Sequence, residues 1–539
     1  MGLVADRLKA LALAVIIGVF ALMGAALTST PSAPANADAE FVPIIFVHGY
    51  VGSGAQYQSQ AMRFASNGYP ADHIRAFDYN SLDSAPEVMR PLLDAYIDSV
   101  RTEFGADCVY IAAHSLGTTV MLDYLNSAPE RAARVCKYVN LDGRTADSLP
   151  GGVPTLAIWG MGDPTREIVG ATNVYLPNQT HTQAVSSPES FAAQYEFLVG
   201  HPPATTDVLP EANVQLAGRA VNFPFNTGWE GATLQIWEVD GTTGARIGAS
   251  PQATYVLGAD GAFGPFAADS SKYYEMVLLR EGASPHHFYF QRFIRSNYLM
   301  RLLSLPPDSP ISAQEEPGPN HATIAILRYK EWWGDDPGGQ NDILEINGTN
   351  VINAATSPIS HRPIVIHAFD NNSDGVTDLS APDDFFIALP FQTGVDIFMR
   401  ATTPPDGSIC LANAPRGDES KMQVVNVPNW ESAYDRMSVE FTDYVREGDP
   451  PCAPPPSPTA TPTPKPTATP KPTPTPQGTP SGVGGTVRLP PSALAAAGVA
   501  VNESRGSPAE AYAILAVGLS AAFATVGVGA LRLRRRRAE

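Results

Sequence analysis

The chain predicts an α/β fold class: a mostly parallel sheet in its first part, followed by two β-sandwich-like units, a Pro/Thr-rich stalk and one C-terminal transmembrane helix. Three observations carry this. Buried-strand runs such as Phe41–Val47, Val109–Ala112 and Val135–Leu141 alternate with helical patterns over the first two hundred residues. From about Thr205 the pattern changes to short strands separated by Gly, Asp and Thr turns. Near the far end an apolar stretch, Ala511–Leu531, is followed by Arg532, Arg534, Arg535, Arg536 and Arg537, which is long enough to span a bilayer and carries its cationic flank on the cytoplasmic side.

In chain order, Arg7 and Lys9, the apolar run Ala10–Leu27 and Ala35-Asn36-Ala37 form a signal-peptide pattern over residues 1–37, with cleavage expected after Ala37. The run Phe41–Val47 then ends in the loop His48-Gly49-Tyr50-Val51-Gly52. After Tyr79 a single amphipathic helix, roughly Ala85–Phe104, leads to Cys108 and the strand Val109–Ala112. That strand feeds Ala113-His114-Ser115-Leu116-Gly117 and the helical pattern Thr118–Asn126. A strand, a small-x-Ser-x-Gly turn and a helix present a serine at the apex of a strained elbow, which is how an α/β-hydrolase displays its nucleophile. Such a site needs an oxyanion hole, and the backbone N–H groups of Leu116 and Tyr50 are the expected donors.

The chain order Ser, acid, His directs attention downstream. Two aspartates follow predicted strands: Asp142 after Val135–Leu141, and Asp163 after Gly152–Trp159. Either could accept the Nδ1–H of a histidine and hold its tautomer. Among the histidines, His181 is favoured over His201, because a helix with Ser187 as N-cap and Pro188 at its first position follows His181, whereas His201 comes after that helix has ended.

The stretches FVHGYVGSGAQYQSQAMRFASNGYPA, AAHSLGTTVMLDYLNSAPERAARV, LDG, PTLAIWG, ATNVYLPNQTHTQAVSSPESFAAQYEFLVGHPPATTD and ILRYKEWWG resemble an archaeal long-chain lipase/carboxylesterase family with an α/β-hydrolase domain and a β-rich C-terminal domain. The resemblance runs from about Phe41 to about Val445. It implies the triad Ser115, Asp142 and His181, since the family's acid is the aspartate of the Leu-Asp-Gly; Asp163 is the runner-up. One feature departs from the family: its helical lid insertion has no counterpart between Tyr79 and Cys108. That implies ester hydrolysis with little interfacial activation and access for shorter or soluble esters. No cofactor is required.

The expected organisation is a catalytic domain over residues 38–204, a β-sandwich unit over 205–304, a second β unit over 305–447, a linker over 448–482, the membrane helix at 511–531 and a basic tail over 532–539. In the second β unit, Trp332-Trp333-Gly334 reads as core in preference to an aromatic tip. Asp370, Asn372, Asp374 and Asp378, with Gly375 at the sixth place of the run, follow a calcium-loop spacing, although Ala381 stands where the bidentate Glu belongs; a structural Ca2+ site and a plain Asx-rich turn compete here. His286-His287 reads as surface or core filler. The cysteines are four, which suits an oxidising exterior, with local pairing of Cys108 to Cys136 and Cys410 to Cys452 expected. A net charge of −19 and a pI near 4.9 argue against nucleic acid.

Together these features predict a cell-surface, single-pass membrane protein, monomeric, with an extracellular serine ester hydrolase acting on an acyl ester or lipid. The alternatives are a surface adhesion or carbohydrate-binding protein with a non-catalytic hydrolase scaffold, and a cell-envelope acyltransferase.

Overall fold

The computed structural model describes residues 41–444 and 448–452. The signal-peptide pattern, nearly all of the Pro/Thr-rich stretch, the apolar segment 511–531 and the basic tail lie outside the described residues. Among the described residues no helix is long and apolar enough to cross a membrane. The chain divides into two compact units, one comprising residues up to Leu209 together with Asn297–Met300, the other comprising the remainder.

The first unit is built on six parallel strands: β1 (Ile44–Val47), β2 (Ile74–Phe77), β3 (Val109–His114), β4 (Val135–Leu141), β5 (Thr155–Trp159) and β6 (Thr172–Tyr175). Their order is β2-β1-β3-β4-β5-β6. The strands are nearly continuous apolar runs because helices cover both faces of a parallel sheet; Ile44, Ile45, Phe46 and Val47 are all fully buried. On one face Ile45, Val47, Ile111 and Ala113 pack with Leu93, Ile97 and Val100 of helix α2 (Pro86–Phe104) and with Met121, Tyr124 and Leu125 of helix α3 (Leu116–Ser127). On the other, Phe46, Ala112, Val139 and Ile158 pack with Phe64 of helix α1 (Gln58–Ser66) and with Phe191, Tyr195 and Leu198 of helix α4 (Pro188–Val199). A single helix of 19 residues, α2, connects β2 to β3.

Register places the functional end of the sheet. Val47 pairs with Ala113, Ala113 with Asn140, and Leu141 with Ile158, so the carboxyl ends of β1, β3, β4 and β5 finish nearly level. The strand order turns back between β1 and β3, and it is outside the carboxyl ends of the strands at such a switch point that open α/β sheets place ligands.

The second unit is β-rich. An eight-stranded sheet runs in the order Ala253–Val256, Thr233–Val239, Tyr273–Leu279, His286–Phe290, Arg436–Phe441, Ile324–Arg328, Val365–Phe369, Gln392–Asp396. The parallel pairing of His286–Phe290 with Arg436–Phe441 carries it across residue 304, where the sequence predicts a boundary between two β units; the two stretches share one sheet. Ile324, Ile326, Ile366 and Val439 of this sheet pack against Leu344, Leu411, Val425 and Val427 of a four-stranded one. Trp332 and Trp333 are buried beside this core, with the Arg328 guanidinium 3.8 Å from one ring and that of Arg416 3.5 Å from the other. Both arginines pair with the buried carboxylate of Asp342.

His286 and His287 are neither surface groups nor inert filler. His287 bridges Glu275 through Nδ1 at 2.5 Å and Asp435 through Nε2 at 2.9 Å, while His286 lies between the hydroxyls of Ser304 and Ser438. Burial opposes charge on His287, but Asp435 and Glu275 outweigh it and raise its pKa above the ordinary imidazole value.

Cys108 is joined to Cys136 and Cys410 to Cys452, with Cα atoms 5.7 and 5.3 Å apart. The first bridge locks the starts of the neighbouring strands β3 and β4. Its loop of 28 residues corresponds to about 3–4 kcal/mol of lost denatured-state entropy. The double variant Cys108→Ser/Cys136→Ser is expected to lose about 3 kcal/mol of unfolding free energy by urea titration.

Candidate active site

The site begins at the end of β3. Ser115 sits between that strand and α3 with φ 52° and ψ −120°, a conformation non-glycine residues rarely adopt, held by its own N–H bonded to Leu141 O at 3.2 Å. The turn is possible only because its flanks are small. A Cβ on Gly117 would stand 2.6 Å from the carbonyl oxygens of Val47 and His48, and one on Gly49 would stand 2.9 Å from Ser115 Cβ. The loop after β1 therefore runs directly against the serine.

That loop is braced from several sides. The His48 ring is fully buried and stacks on Tyr79, accepts the Tyr79 N–H at Nε2, and lies 2.8 Å from Gly49 O through Nδ1, which fixes the neutral tautomer with its proton on Nδ1. Val51 N–H donates to Ser81 Oγ, Gly52 N–H to Gly49 O and Gly54 N–H to Asp78 Oδ1. Tyr50 lies between these anchors. Leu116 opens α3, where an N–H has no carbonyl one turn earlier to accept it.

Of the two aspartates, Asp142 meets the histidine. It occupies the end of β4 at φ 42°, and its Oδ2 lies 2.6 Å from His181 Nδ1. Its Oδ1 accepts from Gly160 N–H and from Arg166 Nη1, each at 2.8 Å. Burial alone would raise the pKa of this carboxyl, but His181, the Gly160 amide and Arg166 together hold it down to about 2. Asp163, by contrast, is exposed and caps its own turn, accepting the N–H and hydroxyl of Thr165. His201 is also exposed, with its ring turned to Pro202 O.

The loop that carries His181 is tied to the same edge. Met161 N–H donates to Gln179 O at 2.7 Å, Ser187 Oγ donates to Gln179 Oε1, and Ser187 caps α4 at Ser190 N–H. Gln60 and Arg63 of α1 reach the carbonyls of Val185 and Ser186. His114, within the serine pentapeptide, holds the histidine from behind: Gln56 Nε2 donates to its Nδ1 at 2.9 Å, so its Nε2–H donates to His181 O at 3.1 Å, and the two rings lie 4.4 Å apart. Burial, then His181, keeps His114 well below the ordinary imidazole range and therefore neutral.

Three positioning residues were not legible in the sequence. His114 lies inside the motif, but the motif tolerates any residue there. Gln56 lies in the short 3-10 helix Gly54–Tyr57 and Arg166 in a loop, and the spacing of neither carries a signal.

The loop with Asp370, Asn372, Asp374 and Asp378 serves its own turns. Both Asp370 carboxylate oxygens accept Gly375 N–H, Asp374 accepts Val376 N–H and Asp378 accepts Ser380 N–H. Among the described residues no group of three or more His, Cys, Asp or Glu side chains is placed to hold a metal ion. Asp374 and Asp378 each close an Asx turn two residues on, while Asp370 reaches Gly375 five residues on.

A six-stranded parallel sheet with a serine at a strained strand-to-helix elbow and a buried aspartate–histidine pair at the same edge defines an α/β-hydrolase-like unit. The Lipase C-terminal domain family matches residues 212–307 of the β-rich unit, and a second C-terminal-domain family matches residues 310–445. Among solved structures, the chain is similar to Aspergillus fumigatus lipase B at 14% identity and TM-score 0.26, covering 33% of this chain and 56% of that one. It is similar to the carboxylesterase CesB from Bacillus subtilis at 16% identity and TM-score 0.23, covering 30% of this chain and 84% of that one. A third, the Bacillus licheniformis lipase BlEst2 in its propeptide form, aligns at 12% identity and TM-score 0.24, over 37% of this chain and 60% of that one.

The depressed pKa of Asp142 has a stability consequence. A carboxylate whose folded value lies below its unfolded value of 3.8 contributes fully above that pH and loses its contribution as pH falls toward about 2. The difference amounts to about 2 kcal/mol. In urea melts at pH 5 and pH 2, Asp142→Asn is expected to show a fall in stability about 2 kcal/mol smaller than that of the wild type.

Proposed function

We propose that this protein is a serine carboxylic ester hydrolase of the lipase/esterase type. The observation that carries the proposal is the 2.6 Å contact between His181 Nδ1 and the buried Asp142, at the sheet edge where the elbow presents Ser115. Buried Asp142 orients the imidazole and stabilises its protonated form, which leaves His181 Nε2 to act as the base. Ser115 Oγ attacks the acyl carbonyl while His181 takes its proton. The oxyanion is received by the N–H groups of Tyr50 and Leu116. His181 then protonates the departing alcohol, and water releases the acid from the acyl-enzyme through the same base. No step calls on a cofactor.

The substrate class is an acyl ester. Because α2 alone connects β2 to β3, the proposal extends to short or soluble esters cleaved without interfacial activation. The apolar stretch 511–531, its arginine flank and the Pro/Thr-rich stretch support placement of the enzyme at the cell surface, tethered through a membrane helix.

Ser115→Ala is expected to lower p-nitrophenyl butyrate hydrolysis about 10^3-fold or more and to abolish labelling by a fluorophosphonate. Asp142→Asn should lose about 10^4-fold in kcat, whereas Asp163→Asn should stay within about twofold. Undiminished turnover by Ser115→Ala refutes the proposal; loss in Asp163→Asn alone transfers the acid role to Asp163.

A further inference from the structure

The acid of the proposed triad is itself ion-paired, which a Ser-His-Asp mechanism does not require. Arg166 Nη1 lies 2.8 Å from Asp142 Oδ1, the oxygen that His181 does not use. The rest of the guanidinium is fixed: Nη2 donates to Gly160 O at 2.8 Å, Nε donates to Asp163 O at 3.1 Å, and the group sits 5.2 Å from the Trp159 ring centroid. The backbone of Arg166 is held as well, since Tyr175 Oη donates to Arg166 O. Arg166 is about one-fifth exposed and Asp142 is nearly inaccessible, so this pair is only partly screened by solvent.

Resting on the ester-hydrolase reading, we propose that Arg166 is a positioning residue that sets the acid limit of activity by dividing the Asp142 carboxylate between a permanent cation and the catalytic imidazole. A triad aspartate stabilises the imidazolium, and the same attraction favours protonation of the free base at low pH. A guanidinium on the other oxygen cancels part of that attraction. The Arg166 cation on Asp142 Oδ1 therefore weakens the pull that Asp142 exerts through Oδ2, and the acid limb of activity is expected at lower pH than it would be without that cation. Of the other ionisable groups near this centre, His114 is neutral and Asp163 is a solvent-exposed carboxylate whose opposing effect is screened by water. His114 packs on His181 as an uncharged ring. Asp163, the other carboxylate of the loop, is exposed and turned to Thr165.

The sign is definite. Replacing Arg166 by a neutral residue of similar length removes the opposing cation, so the acid limb of the kcat/KM profile should move to higher pH. With the full chain and p-nitrophenyl butyrate, Arg166→Gln and Arg166→Met are expected to shift that limb upward by about half a unit to one unit. Their activity at pH 5 relative to their own plateau should fall about three- to tenfold. Arg166→Lys, which keeps the charge but not the fork, should keep the limb within about 0.2 units while its plateau falls.

A limb that does not move in the neutral variants, with kcat lowered equally at every pH, makes Arg166 a structural pin and overturns the proposal. If neither neutral variant folds, Arg166→Lys decides: a limb displaced upward by half a unit despite the retained charge also overturns it. Ser115→Ala measured alongside separates the two levels, because residual turnover in that variant refutes the hydrolase reading and not merely the role of Arg166.

Discussion

The level ending of parallel strands β1, β3, β4 and β5 is the constraint on which the site depends. Parallel pairing admits only slanted, evenly spaced hydrogen bonds, so once Val47 is opposite Ala113, and Ala113 opposite Asn140, the exits of all these strands fall at one edge. Ser115, Asp142 and the His48-Gly49 loop are each the next residues along those strands. None of them needs a long side chain to reach the others, and each can be held by backbone.

This placement explains where backbone strain is tolerated. Ser115 and Asp142 both have positive φ, and Val51 in the loop after β1 does too. Such conformations persist only where surrounding contacts over-determine them. Here Gly117 passes against the carbonyls of Val47 and His48, Asp142 N–H is tied to Ile158 O at 2.7 Å, and the Cys108–Cys136 bridge fastens the opposite ends of β3 and β4. The histidine arrives on a longer loop after β6, and this is the part most heavily braced by side chains: Gln179 and Ser187 within the loop, Gln60 and Arg63 from α1, and His114 with Gln56 from the nucleophile side.

The β-rich unit follows a different logic. Its eight-stranded sheet draws strands from both sides of residue 304, and charged groups lie within it. Glu275, His287 and Asp435 connect Tyr273–Leu279, His286–Phe290 and the approach to Arg436–Phe441, so the ionic cluster sits on the seam where the two sequence stretches pair. Buried charges of this kind persist only when mutually paired, and they penalise any register in which the partners do not meet.

By itself the sequence determined the elements whose signals are local. The β-branched runs, the small residues flanking Ser115, the Ser187-Pro188 helix start and the turn-separated short strands all reflect steric and solvation preferences that act within a few residues. It also narrowed the acid to two aspartates at strand ends. The family resemblance already favours Asp142, but only the tertiary structure brings it to His181, because that contact depends on which strand end lies beside the histidine loop, a matter of sheet order between residues 39 positions apart. For the same reason His114, Gln56 and Arg166 carried no signal. Each acts through a contact made only after the chain has folded, and no local spacing records which carbonyl or carboxylate it will face.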